Sequence, residues 1–196
     1  MKRITKITLF ALGLVVLGGL PGIVPGFLPP APAQTVAQAA TDTTITLDLA
    51  WDCRTFNYLR GVTLPQEVRG DSYIFNGKLF PVGTLKPGVQ SNDPNDPGSI
   101  GDFINRGTST ATLAEHLANP NKYAVFATSY FLLNNGRGLV SEGWFKPSGA
   151  NLSAITGGMG AFRGASGEWS GVNIGTNSTG CNNTRVTITL EKQAPK

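Results

Sequence analysis

The chain is 196 residues long, 40% hydrophobic and only 14% charged, with 25 Gly, 13 Pro and two Cys. That length suits one domain, and the composition excludes a coiled coil, a collagen and a small disulfide scaffold, which need abundant helix formers, a Gly-X-Y period or many cysteines. Ten Phe, four Tyr and three Trp exclude a wholly disordered chain, and the formal charge of +4 comes from 16 basic and 12 acidic residues.

The first predicted element is an export signal. Lys2, Arg3 and Lys6 form a positive start, and Ile7 to Leu20 is an uncharged run of 14 residues. Ala31-Pro32-Ala33 and Ala37-Gln38-Ala39 then offer cleavage patterns. A membrane span needs about 20 apolar residues, and Pro21, Gly22, Pro25, Pro29 and Pro30 interrupt this stretch. Residues 1–40 are therefore expected to be a signal and processing region and 41–196 a single domain, with the mature chain beginning between Gln34 and Thr41. Cleavage removes three basic residues and leaves 13 basic against 12 acidic, a net +1. No basic stripe remains, which excludes nucleic acid as a partner, and no stable membrane span remains. The expected location is secreted or periplasmic. In that oxidising compartment Cys53 and Cys181, 128 positions apart, are expected to pair as a disulfide. The alternative is two buried free thiols.

From Thr41 onward the apolar pattern has period two. Ile45, Leu47, Leu49 and Trp51 alternate with Thr44, Thr46, Asp48 and Ala50, the mark of a half-buried strand. Ser72 to Phe80 is a second strand, stopped at Pro81. Leu85 to Gly101 is rich in Pro, Gly, Asn and Asp and reads as a long surface loop. Thr112 to Leu117 suits one or two helical turns ending before Asn119-Pro120. Lys122 to Leu133 is the strongest strand, closed by a turn at Asn134-Asn135-Gly136. Leu139 to Phe145, Leu152 to Thr156, Phe162 to Val172 and Thr184 to Leu190 follow as further strands. This spacing predicts an antiparallel sandwich or barrel.

Candidate chemistry is sparse. His116 is the single histidine, so a metal site built on several histidines is excluded. No HExxH, P-loop or CxxC pattern is present, and nothing in the chain asks for a cofactor. Arg69-Gly70-Asp71 reads as a turn into the next strand. Glu142 lies between Val140 and Trp144 on one strand face. If that face points inward, its carboxyl has apolar neighbours, a raised pKa and the ability to donate a proton or orient a ligand. If it points outward, Leu139 and Phe145 are the inner residues, and periodicity does not choose between the two. Glu168 beside Trp169 has the same ambiguity.

Ile155-Thr-Gly-Gly-Met-Gly-Ala-Phe-Arg-Gly-Ala-Ser-Gly-Glu168 resembles the T-G-G-T-G-x-F-x-G-A-x-G signature of the dirigent and allene oxide cyclase-like families. Gly136-Arg-Gly-Leu-Val-Ser-Glu-Gly143 is similar to the segment preceding that signature in dirigent proteins. The motif reads first as structure. Gly157, Gly158 and Gly160 permit positive φ in a tight hairpin, Phe162 folds into the core, and Gly164 and Ala165 admit a close backbone. The resemblance implies an all-β fold, an eight-stranded antiparallel β-barrel of calycin-like form with a central cavity, often a homotrimer. It also implies a small hydrophobic or aromatic ligand, but it transfers the fold and no catalytic residue. The strand pattern, read beside it, gives Glu142, Trp144, Phe162 and Trp169 as the expected binding residues and Glu142 as the catalytic candidate. Two departures limit the transfer. Ser166 stands where the dirigent A-R-G triplet has arginine, and Trp51 to Gln66 does not match the acidic strand carrying the cyclase glutamate. Three functions follow: a barrel that binds a small apolar molecule, an isomerase or cyclase acting on a fatty-acid-derived epoxide through an in-barrel carboxylate, or an envelope interaction module with a packed barrel.

Overall fold

The computed structural model of the chain describes residues 42–61, 63, 67–119, 125–146 and 151–191. The export signal and its cleavage patterns lie outside these residues, as do the start of the strand expected from Lys122 and the side chain of His116. Within them run β1 (Thr43–Trp51), β2 (Asn57–Tyr58), β3 (Ser72–Pro81), β4 (Gly88–Val89) and β5 (Gly101–Ser109). Then come α1 (Leu113–Ala118), β6 (Val125–Leu133), β7 (Gly138–Phe145), β8 (Asn151–Met159), β9 (Gly167–Thr176) and β10 (Asn182–Leu190).

Strands β1, β10, β9, β8, β7, β6, β5 and β3 pair in that order, each antiparallel to the next. β3 then returns to β1, Leu79 opposite Leu49, and closes an eight-stranded barrel. Closure leaves no unpaired edge to recruit other chains. β2 prolongs the wall beside β3, with Tyr58 opposite Tyr73, and β4 lies parallel to β9. Among the described residues no helix is long and apolar enough to cross a membrane.

Alternation along each strand sorts residues between lumen and outer surface. Leu47, Leu49, Leu79, Phe103, Phe131, Leu139, Ile155, Trp169, Val186 and Ile188 form the buried core. α1 is capped reciprocally: Glu115 N donates to Thr112 Oγ1 at 3.3 Å and Thr112 N to Glu115 Oε2 at 2.8 Å.

The glycine signature folds differently from the hairpin expected of it. Gly157 and Gly158 lie in β8, which runs on to Met159, and Gly160–Phe162 form a 3-10 turn, so β9 starts only at Gly167. Of the three glycines expected to take positive φ only Gly160 does, and Gly164 and Gly167 join it. Gly158 is needed for a different reason. A Cβ there would stand 2.3 Å from the Phe162 carbonyl oxygen, so a side chain would push the turn off the strand.

The Leu85 to Gly101 segment is likewise more ordered than a surface loop. Leu85 is buried against Ala50, Phe80 and Ile174, which covers the outer face of β1. Asp48 on that face is therefore fully buried, and it accepts from Arg185 Nε at 2.9 Å and from Leu85 N at 3.0 Å. Cys53 and Cys181 are disulfide-bonded, as the compartment argument anticipates. The bridge ties the 3-10 turn after β1, Cys53–Thr55, to the turn between β9 and β10.

Candidate functional site

The lumen has two unlike ends. At the end where β6 turns into β7, Ile45, Leu47, Phe131, Leu133, Leu139, Phe162 and Ile188 surround a cavity of only about 10 Å³. That is at the lower limit for a single water. This end is packed shut.

Trp169 divides the barrel at mid-height. It is buried, meets Phe131 at 5.4 Å and Phe145 at 5.8 Å between ring centroids, and donates its indole N–H to Ser141 Oγ at 2.7 Å.

Beyond Trp169 the inward residues change from aliphatic to small and polar. Tyr73 Oη donates to Asn105 Oδ1 at 2.7 Å, and Asn105 Nδ2 donates to Ser129 Oγ at 2.8 Å, both within the buried interior. Gly107 makes room for this arrangement. A Cβ there would meet the Tyr73 ring at 2.6 Å. Ser153, opposite Trp169, is buried with its hydroxyl lacking a hydrogen-bond partner among the described residues. An unsatisfied buried group of this kind costs about 1–3 kcal/mol.

An aromatic wall closes one side of the polar end. Trp51, Phe56 and Phe75 are only half buried. Trp51 lies 4.6 Å from Phe75 and 4.9 Å from Phe103, and Phe56 lies 5.3 Å from Phe75 and 5.0 Å from Tyr58. Trp51 Nε1 donates to Thr184 Oγ1 at 3.2 Å. Beside this wall Glu67 is buried, accepting from Ser109 Oγ and close enough to the Tyr58 phenol to act on it. Burial, then the hydrogen bond to Glu67, pushes the Tyr58 pKa up. Burial likewise raises that of Tyr73, so both phenols stay protonated donors. A salt bridge holds the segment that carries Glu67. Arg60 Nε donates to Asp71 Oδ1 at 2.7 Å, and the guanidinium draws the Asp71 pKa down to about 2.

No protein-family model matches the sequence, and no curated protein matches it. Solved structures do. A pterocarpan synthase dirigent protein superposes with a TM-score of 0.56 at 15% identity, covering 81% of this chain and 99% of its own. A second pterocarpan synthase dirigent protein gives 0.50 at 16% identity, over 80% of this chain and 88% of its own. A pyocyanin demethylase also gives 0.50 at 16% identity, over 76% and 100%. The chain has the dirigent barrel fold.

In this dirigent-like barrel the four residues expected to bind ligand do not gather at one place. Trp169 is in the lumen, at its middle. Phe162 helps plug the apolar end, with the Arg137 guanidinium 5.7 Å from its ring centre. Glu142 and Trp144 face outward: Glu142 is exposed, and Trp144 is 45% exposed and sits 5.2 Å from Phe126 on the outer surface. The inner face of β7 is Leu139, Ser141, Gly143 and Phe145, the outward alternative for Glu142. Glu142 and Trp144 border an outer groove of about 360 Å³ with Leu152 and Glu168. Trp51 and Tyr73 carried the period-two signal of lumen residues without any sign of a site. Glu67 carried no signal, because it sits in an irregular segment.

Proposed function

We propose that this dirigent-like barrel binds a small, flat, apolar or aromatic molecule at its polar end, against the Trp51–Phe56–Phe75 wall and above Trp169. The observation that carries this reading is the half-buried aromatic wall set beside an interior hydrogen-bonding array. Aromatic faces give a flat ligand stacking contacts, and a few placed polar groups orient it. The free Ser153 hydroxyl adds an unsatisfied group that a ligand could engage. The fold is also that of proteins named as a pterocarpan synthase and a pyocyanin demethylase, both of which handle small molecules. The packed-barrel reading draws its support from the apolar end.

Trp51 reports on this site. Titration with 2-naphthol or a long-chain fatty acid should shift indole emission saturably, with one site per chain. Trp51→Ala should weaken binding by about ten- to a hundredfold, the scale of removing one large apolar contact. Trp144→Phe should leave affinity unchanged. If Trp144→Phe abolishes binding and Trp51→Ala does not, the ligand sits in the outer groove and this reading fails.

We also propose that the protein works outside the cytoplasm as a homotrimer. The Cys53–Cys181 disulfide supports the first part, since such bonds persist in oxidising compartments. An exposed apolar row across β6, β7 and β8 supports the second: Phe126 at 41%, Trp144 at 45% and Leu152 at 59% exposure. Light scattering of the mature chain should give about three times its mass. A monomer at every concentration would remove the trimer.

A further inference from the structure

Glu67 is a carboxylate at 6% exposure that forms no ion pair with any described Lys or Arg. A buried carboxylate without a cation is costly, and such groups are retained where they are used. Its two partners show where it lies. Ser109 belongs to the inward set Phe103, Asn105, Gly107 and Ser109 of β5. Tyr58 stands opposite the inward Tyr73. A carboxylate bonded to Ser109 and neighbouring Tyr58 lies inside the polar end, at the margin of the aromatic wall.

Hydrogen-bond arithmetic then sets what it can do. An ionised carboxylate accepts at about four lone-pair sites, and Ser109 occupies one, with the Tyr58 phenol beside it. The free capacity is acceptor-only, whereas the nearby serine hydroxyls and phenols can also donate. Among the described residues Glu67 is thus the carboxylate at this end that has no cation on it, and in its ionised form it accepts and never donates.

Resting on the binding site proposed above, we infer that Glu67 determines its specificity. The carboxylate accepts a hydrogen bond from an O–H or N–H on the ligand, so the barrel selects flat apolar molecules carrying such a donor over their O- or N-alkylated counterparts. The charged groups facing Glu67 are few. Asp71 is neutralised by Arg60, and the Tyr58 and Tyr73 phenols remain protonated.

The test compares 2-naphthol with 2-methoxynaphthalene, which share a ring system and differ in one donor. The intact protein should bind 2-naphthol at least about tenfold more tightly, the scale of one hydrogen bond to a charged group. Glu67→Gln, whose amide oxygen is a weaker acceptor, should bring the ratio below about threefold while leaving methoxynaphthalene binding nearly unchanged. Tyr58→Phe removes a competing donor and should keep the ratio at about tenfold or above. If Glu67 only ties down its segment, Glu67→Gln weakens both probes together and keeps the ratio, which overturns the inference. A ratio near one in the intact protein overturns it too, and needs no variant to fold. If neither probe binds saturably, the binding site itself is refuted, and the selectivity falls with it.

Discussion

Replacing Cys53 and Cys181 together by Ser is expected to destabilise the barrel by about 4–5 kcal/mol, measured as urea unfolding of the oxidised and the variant proteins. The bridge spans 128 positions, and in the chain-entropy account a loop of that size restricts the unfolded chain by about this amount. Native contacts at the bridge should change little. Asn177 Nδ2 still donates to the Trp51 carbonyl at 2.9 Å, and Cys53 N still reaches Thr179 Oγ1 at 3.2 Å. The loss should therefore appear in the unfolding midpoint, while probe affinity at the Trp51 wall stays within about twofold. A loss below about 1 kcal/mol would show that the β1–β10 ladder holds these turns unaided. A collapse of probe binding in the folded variant would show that the bridge shapes the site.

Asp48→Ala should cost about 3–5 kcal/mol, the range for removing one partner of a buried ion pair. Asp48 is fully buried, whereas the Arg185 side chain keeps 35% exposure, which places the expectation at the lower end. The variant strips partners from the Arg185 guanidinium and from the buried Leu85 N–H. It should thus loosen the covering segment that begins at Leu85. A double-mutant cycle separates pairing from packing: adding Arg185→Leu to Asp48→Leu should recover part of the loss, because no charge is then left buried alone. If Asp48→Ala costs less than about 1 kcal/mol, Leu85, Phe80 and Ala50 hold the cover by apolar contact. Additive effects in the cycle would show that the pair is not coupled.

Both expectations start from residues that the sequence placed with unequal success. Cys53 and Cys181 were paired by compartment and number alone. Two cysteines allow one connectivity, so no geometry was needed. Asp48 was read as an outward, solvent-facing residue of β1, and nothing local said that the segment around Leu85 would lie over it.

The strands themselves were legible because a half-buried strand must alternate. Ile45, Leu47 and Leu49 of β1 and Val186, Ile188 and Leu190 of β10 show this, and all but half-buried Ile45 are buried in the lumen. The Gly-rich stretch from Ile155 to Glu168 marked the barrel, although its glycines serve close approach and a 3-10 turn rather than a hairpin. The face of β7 was not legible. Leu139 and Phe145 line the interior, but Val140 and Trp144 put apolar side chains on the outside, so both faces carry the same signal, and a shift of one residue exchanges them. The register shift opposite Val140 and Ser141 skips Thr156 of β8 and leaves the β7 alternation unbroken. Glu67 was beyond reach for another reason. It is held by Ser109, 42 positions away, so no local pattern could place it. Alternation, a short-range property of the chain, was enough to determine antiparallel strands of a sandwich or barrel, and the glycine-rich resemblance pointed to the barrel. The site depends on which side chains barrel closure brings together, and only the tertiary structure decided that.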